Sequence, residues 1–503
     1  MLKTVSPYRI VILSLAVGGL LVGCGDSASD ESAAAPIRTV DVPHPHMRAL
    51  VENAFEYIDL EQGLFDPVSG YPLEGFNEDP EAGVFLRSFT QITAIGKWVE
   101  LAANIVAGQA PNGVVSPEEA LERLEQCVET LLQDQKDPRL GANGLLVNFM
   151  GLEGDQRVGP LATRVRKESY TKGFGPELGT RIWRALCEAG WVAEKGRGEH
   201  GEVDRSAPYG VAHFVGPLAP FADPPTAKKI MALLDQRVVL VAYGDNANLT
   251  TSVAKAIGAL RNHTVAKRRG VVALRGQLEA FIAAQEEGYR GLLDVETGQF
   301  YFGRDEGSGR FFGWSDADGE WMVGHQDYFV NEVRDPTLFV VARFGLDRSL
   351  VGRLGFAMRS VDLPDGRCLF TLAPWDGSAF QIFGLDLAFP HELHPAWLMI
   401  LENAVRIEVD YALRHGLPGF LSESYTGVGS TYSERVGMPS LAVTKEERIE
   451  TAPSLYTLGT AYQVAPAAVE GFLAIQWPTI GSLRTEHGPW EGYDMVRKRP
   501  VEF

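Results

Sequence analysis

The stretch Leu393–Gly427, LHPAWLMILENAVRIEVDYALRHGLPGFLSESYTG, joins a long helical pattern to a loop that carries an acid. Apolar residues recur at spacings of three and four as far as Leu413, the signature of a helix with one buried stripe. Gly416 and Pro418 then stop it, because glycine accepts the left-handed turn that ends a helix and proline cannot continue the ladder. Beyond the stop, Glu423 stands between Ser422 and Ser424 in a loop crowded with Gly, Ser, Thr and Tyr that runs to Tyr432. A chain that needed only to reach its next helix would turn sooner.

The same helical period recurs on both sides of this stretch. It marks 85–108, 116–135, 179–194, 226–241, 246–262, 274–289, 336–345 and 454–476. The second of these opens with Ser116, Pro117 and Glu119, a capping residue followed by proline at the first helical position and an acid close behind. Only Gly291–Trp321, with alternating aromatics and Gly and Asp at the turns, has the pattern of a β-hairpin or two. Many paired helices without a heptad or a strict repeat leave a solenoid or a closed ring of helical hairpins. Solenoids repeat their loops, whereas these loops differ and several combine acids, Trp, Tyr and Gly. The expected fold is therefore all-α, an (α/α)6 toroid over residues 40–503 with a small β-hairpin insertion.

Composition narrows the function. The chain has 503 residues, 45% of them hydrophobic and 22% charged, with a formal net charge of -19. That make-up suits a globular body with a sizeable core, and no Lys/Arg run offers a footprint for nucleic acid. At the N-terminus, Lys3 and Arg9 precede the apolar run Ile10–Leu21, and LVGC closes it at Cys24. This resembles a bacterial lipoprotein signal, which implies a signal peptide over 1–23, lipidation of Cys24, and a small, polar tether over 24–39. An ordinary signal peptide or an uncleaved anchor is the alternative; every version exports the chain, and the lipoprotein reading makes the membrane a partner through Cys24. Gly25 after Cys24 is not the Asp of an inner-membrane retention signal, which favours the outer membrane.

Cys127, Cys187 and Cys368 lie far apart, two of them on helical patterns, and are expected to be free thiols. No metal is expected. HELH at 391–394 falls one residue short of the zinc-binding HExxH spacing and suits a helix entry instead, and SDADGE at 315–320 lacks the spacing of a calcium loop and suits a turn. Nor does any segment have the setting of a dinucleotide fingerprint, so no cofactor is expected.

Five loops remain: 65–77, 243–250, 324–336, 373–383 and 422–432. Sugar rings stack their C–H faces on Trp and Tyr, their hydroxyls pair with carboxylates and amides, and glycosidic cleavage uses two carboxyl groups in different protonation states. Taken in order, these loops resemble the glycoamylase-like family of (α/α)6 barrels found in cyclic β-1,2-glucan synthases and bacterial β-1,2-glucanases. The resemblance rests on NEVRDPTLFVVARFG (331–345), APWDGSAFQIF (373–383), GLPGFLSESYTG (416–427), VGMPSLAV (436–443) and TAPSLYTLGTAYQVAPAAVEGF (451–472), and more loosely on DNANLTTSVAKAI (245–257). It spans roughly Asp245 to Trp490, with a fainter echo from Phe65 to Leu101. Three positions depart from the family pattern: Gln381 replaces a Glu, Gly419 replaces a Trp, and Pro336 interrupts a helix start.

The resemblance implies a glycoside hydrolase acting on a β-glucan, with a β-1,2-linked chain as the leading substrate. Glu332 is the expected proton donor and Glu423 the opposing carboxylate, as nucleophile or as base. Glu332 is expected at a loop-to-helix junction, with Asp335 capping a helix that starts at Pro336. For each acid the plain alternative is an ion pair or a loop cap. Asp245, Asn248, Arg334, Trp375, Asp376, Gln381, Tyr425, Tyr432, Asp66, Tyr71 and Arg87 are the candidate substrate contacts. Among these, Asp245 by itself reads first as a helix cap, and the resemblance raises it to a sugar-binding or alternative catalytic acid; for Trp375 the plain alternative is a core residue beside Phe380. A transglycosylase using the same acids, a glycan-binding lipoprotein that no longer cleaves, and a polysaccharide lyase are the competing functions; the acidic balance argues against the last.

Overall fold

Helix α2 (Ile92–Val106) decides where the centre of the molecule lies, because fourteen of its fifteen residues are buried. A helix buried on every side has no solvent face and must sit inside a layer of others. The computed structural model describes residues 44–79, 83–86, 88–153, 156–158, 164–195, 200–203, 210–234, 240–307, 309–315, 321–384, 389, 394–426 and 431–501. The expected signal peptide, Cys24, the tether, Arg87, 391–393 of the HELH stretch and 316–320 of the SDADGE turn lie outside them, as do the side chains of Tyr425 and Tyr432.

In chain order the helices are α1 (Pro45–Glu56), α2, α3 (Pro117–Asp134), α4 (Lys167–Phe174), α5 (Pro176–Glu188), α6 (Pro224–Leu234), α7 (Tyr243–Ala259) and α8 (Arg269–Ala283). They continue with α9 (Glu286–Gly291), α10 (Arg334–Arg343), α11 (Ser349–Gly352), α12 (Ala379–Phe383), α13 (Pro395–His415), α14 (Leu458–Val464) and α15 (Pro466–Ile480). Helix α2 packs on α3 and α7, α7 on α8 and α10, α12 and α14 on α13, and α14 on α15. The ring closes through α1. It packs on α15, its Asn53 Nδ2 donates to the Thr485 carbonyl at 2.5 Å, and the Ile58 carbonyl just past it accepts from Arg123 Nη1 of α3 at 2.8 Å. The Arg123 guanidinium also lies over the Phe65 and Trp98 rings, at 4.3 and 4.5 Å from their centroids, so the closing seam is a buried cation against two aromatic faces. The result is the expected all-α toroid.

The expected helices are largely present, and their ends follow the expected chemistry. Ser116 caps α3 by accepting from the Glu119 N–H at 3.2 Å, and α13 ends at Gly416. The stretch 291–321 forms short antiparallel hairpins, as its turns predict. Four helical expectations need trimming, one of them 454–476, where Ser454 is strand and the helices α14 and α15 begin only at Leu458. Residues 85–86 and 89–90 are strand, because Gly83–Leu86 pairs with Phe76–Asp79 and Phe89–Thr90 with Met150–Gly151. Helix α5 stops at Glu188 and the strand Val192–Lys195 follows. Helix α6 is described over Pro224–Leu234, and Leu240–Ala242, at the end of the same expected helix, is strand.

Residues 164–234 also form a unit that helical periodicity does not separate from the ring. Helices α4 to α6 and the sheet of Arg164–Arg166, His200–Val203 and Val192–Lys195 enclose a second apolar core around Trp183, Leu186, Leu218 and Ile230. An Arg166–Asp305 ion pair ties this unit to the hairpins. Cys127 is buried, Cys187 partly exposed and Cys368 exposed, and all three are free thiols.

The Gly419 departure has a packing reason. Its segment runs into the strand Phe420–Leu421, which pairs with Pro453–Ser454, and a Cβ at 419 would stand 2.1 Å from the Ser454 carbonyl oxygen. No side chain fits there. Replacing Gly419 with Ala should therefore destabilise the fold by about 1–3 kcal/mol, the usual cost of overpacking, measured as a lower denaturation midpoint at unchanged m-value.

Candidate active site

The starts of α7, α10 and α12 and the loop beyond α13 carry the acids that meet near Glu332. Glu332 itself lies two residues ahead of α10, whose first residue is Arg334 with Val333 as its N-cap. This corrects the expected start at Pro336 with Asp335 as cap. Pro336 occupies the third helical position, where its missing N–H has no partner to lose, so the helix begins two residues earlier than the proline suggests. Gly384 at the end of α12 lets this junction approach, since a Cβ there would stand 2.9 Å from the Glu332 Cβ.

Asp245 lies in the first turn of α7 and receives a hydrogen bond from the Thr93 hydroxyl of α2 at 3.2 Å. Burial raises its pKa, offset by hydrogen bonds from Thr93 and Asn148. Asn248, one turn further along α7, is partly exposed. Asp376 lies just ahead of α12. Its Oδ1 accepts from Arg448 Nη1 at 2.7 Å, its Oδ2 from Gln381 Nε2 at 3.3 Å, and its N–H donates to Gln381 Oε1 at 3.2 Å. Gln381 thus spends both ends of its amide on one residue.

Glu423 is held by its backbone. Its N–H donates to Ser378 Oγ at 3.2 Å, and its carbonyl accepts from the Tyr456 hydroxyl at 2.7 Å. Ser422 Oγ joins the same network, 2.5 Å from the Tyr456 hydroxyl and 3.1 Å from Ser378 Oγ, and accepts the Phe380 N–H at 3.0 Å. Three elements therefore fix one loop residue: the cap of α12, the loop itself and the segment entering α14. The strand Ser424–Thr426 pairs with Thr431–Ser433, placing Tyr425 opposite Tyr432 at backbone level.

These acids act on one another. Desolvation first, then the charge of Glu423, then the weaker charges of Asp245 and Asp376 push the Glu332 carboxyl up to about 8. A carboxyl in that state is protonated at neutral pH, and its neighbours keep it so. Two other buried acids show the contrast. Glu408 on α13 is raised by burial alone, and Glu100 on α2 is an ion-pair partner of Lys97 and Lys255. At Glu332, by contrast, burial and several facing carboxylates combine.

Several candidate contacts are placed elsewhere. Arg334 is 3% exposed, paired with Asp335, and its guanidinium lies over Phe329 and Trp397 at 4.5 and 5.1 Å. It supports the start of α10 and is corrected from substrate contact to buried packing. Asp66 closes its own turn, accepting from the Ser69 N–H and hydroxyl at 2.7 and 2.5 Å, and Tyr71 is buried with its hydroxyl on Asp134 at 2.8 Å. Trp375 is 50% exposed, which decides between rim and core in favour of the rim. Sequence reading missed Thr93, Ser378, Tyr456 and Arg448. Ser378 and Tyr456 lie inside quoted motifs and were reachable from them, whereas Thr93 and Arg448 carry no local signal. Among the described residues, no group of three or more His, Cys, Asp or Glu side chains is arranged to hold a metal ion.

No protein-family model matches the chain, and no curated protein matches its sequence. Solved structures do match its fold. The endo-β-1,2-glucanase of Talaromyces funiculosus, in complex with sophorose, is 12% identical, with 87% of this chain and 77% of that one covered and a TM-score of 0.58. A variant of that enzyme with β-1,2-glucan gives 12% identity, 90% and 80% coverage and a TM-score of 0.57. The endo-β-1,2-glucanase of Chitinophaga pinensis, with sophorotriose and glucose, gives 12%, 91% and 88%, and 0.53. The chain thus shares its fold with these structures.

The proton on Glu332 can be followed directly. Carboxyl-carbon NMR should show Glu332 titrating near 8, and Glu423→Gln should move the midpoint down, because removing a facing negative charge favours ionisation. The raised value also has a stability sign: the folded state binds this proton more tightly than the unfolded chain. The contribution is full below the ordinary carboxylate range and is lost as pH rises through about 8.

Proposed function

We propose that the chain is a glycoside hydrolase that cleaves a β-1,2-linked glucan with Glu332 as proton donor and Glu423 as the opposing carboxylate. The observation that carries this reading is the burial of Glu332 within reach of the Glu423 charge, which together raise its pKa to about 8. Glycosidic cleavage needs one carboxyl protonated and its opposite number ionised. In the cleavage step the Glu332 proton passes to the glycosidic oxygen as the C–O bond breaks. Glu423 then acts either on the anomeric carbon or on a water that attacks it, and the carboxyl separation distinguishes the two courses. The shared fold with enzymes named as acting on β-1,2-glucan supports the choice of linkage.

Product analysis on a panel of β-glucans tests this. The 40–503 body should release oligosaccharides from β-1,2-glucan, and Glu332→Gln should reduce kcat/KM by roughly 10²- to 10⁴-fold, the usual worth of a general acid. Glu423→Gln should lose activity as well. In the parent, kcat/KM should fall as pH rises through about 8, where Glu332 gives up its proton. Full activity in either variant would mean that the wrong acid has been assigned, and glycan binding without cleavage by the parent would favour a surface glycan-binding protein. Products longer than the substrate would indicate transglycosylation.

We further propose that the protein is exported and held to the cell envelope, on the outer membrane, through a lipid on Cys24, which the LVGC run after an apolar segment supports. Labelling with a radioactive fatty acid should mark the full-length chain, and Cys24→Ser should abolish the label and release the protein from membranes.

A further inference from the structure

Trp375 and Asp376 are consecutive residues with complementary chemistry, and both are held in place from outside their own loop. The Trp375 ring is half exposed and meets Tyr328 edge-on, with centroids 5.5 Å apart. Its carbonyl accepts from the Val443 and Thr444 N–H groups at 3.1 and 3.0 Å. The Tyr328 hydroxyl in turn donates to the Ala373 carbonyl at 2.6 Å, so the platform is fixed at its ring and along its backbone. Asp376 keeps 16% of its side chain exposed, while the side chain of its partner Arg448 is 1% exposed. Arg448 is anchored separately, its Nε donating to the Glu446 carbonyl at 3.0 Å. With one donor on each carboxylate oxygen, Asp376 has acceptor capacity left, because an ionised carboxylate offers about four lone-pair sites.

A fixed ring beside a fixed acceptor is what a pyranose needs: a C–H face to lie on the indole and a hydroxyl to donate to the carboxylate. Asp376 also lies within electrostatic reach of Glu332. We propose that Trp375 and Asp376 form a glucosyl-binding subsite beside Glu332, and that Gln381 and Arg448 are its positioning residues. This rests on the glycosidase reading of the same site. It also gives the Gln381 departure a reason. A neutral amide accepts the Asp376 N–H and donates to its carboxylate, whereas a glutamate there would face Asp376 with a second negative charge.

Binding in the full chain carrying Glu332→Gln tests the subsite without turnover. β-1,2-Gluco-oligosaccharides titrated calorimetrically should bind this parent, and adding Trp375→Ala or Asp376→Asn should each weaken the affinity. For Asp376 the loss should be roughly ten- to hundredfold, as for a hydrogen bond to a charged group. Gln381→Leu, which leaves the Asp376 charge but removes one support, should weaken binding by less. Gln381→Glu should make affinity fall with rising pH, as the 376–381 carboxyl pair loses a shared proton beside Arg448 and Glu446, the other charged groups facing Asp376. A pH dependence of that kind would not arise if Gln381 only filled space. Unchanged affinity in both the Trp375 and Asp376 variants would overturn the subsite while leaving the glycosidase reading intact. Absence of binding by the Glu332→Gln parent itself, together with an inactive wild-type chain, would instead overturn the glycosidase reading beneath it.

Discussion

Like charges brought out of water repel, and the site exists because the fold holds several carboxylates together against that repulsion. Glu332 responds by keeping its proton, under desolvation and the charges of Glu423, Asp245 and Asp376. Each of its neighbours is restrained differently. Asp245 has the Thr93 hydroxyl, Asp376 has Arg448 and Gln381, and Glu423 has backbone bonds to Ser378 and Tyr456. The restraints come from helices far apart in sequence. Closing the ring is therefore a condition of the chemistry as well as of stability, because α1, α3 and α15 complete the wall on which the inner helices rest.

The division of labour follows from burial. Helix α2 carries almost no solvent-facing surface and fixes the centre, and its two buried charges, Lys97 and Glu100, are matched with each other and with Lys255 of α7. Outer helices such as α3 need only one apolar stripe. Loops at the starts of the inner helices are then free to carry polar groups, since their backbone is pinned by neighbours. The Ser378, Ser422 and Tyr456 hydroxyl network is the clearest case, joining three chain segments within hydrogen-bond distance.

How much of this was legible depends on the range of the physics. Helix period, the Ser116 cap, the Gly416 stop and the hairpins of 291–321 are set by residues a few positions apart, and they emerge from sequence as local rules predict. Glu332 and Glu423 were legible as acids at loop rims for the same reason. The start of α10 was misplaced because proline is compatible with any position in the first turn. Arg334 reads as a substrate contact in the sequence because nothing local tells of the Phe329 and Trp397 rings that cover it.

By itself, then, the sequence determined the helical class, the loops in which acids and aromatics gather, and the two carboxylates worth considering. Tertiary structure alone decided which acid keeps its proton, since that depends on charges brought from three other segments. It also decided that Gly419 must lack a side chain, because Ser454 stands against it, and that Gln381 belongs to Asp376. The physical reason is common to all three: desolvation, repulsion and steric exclusion act between atoms close in space, and only the closed ring makes residues so distant in sequence neighbours.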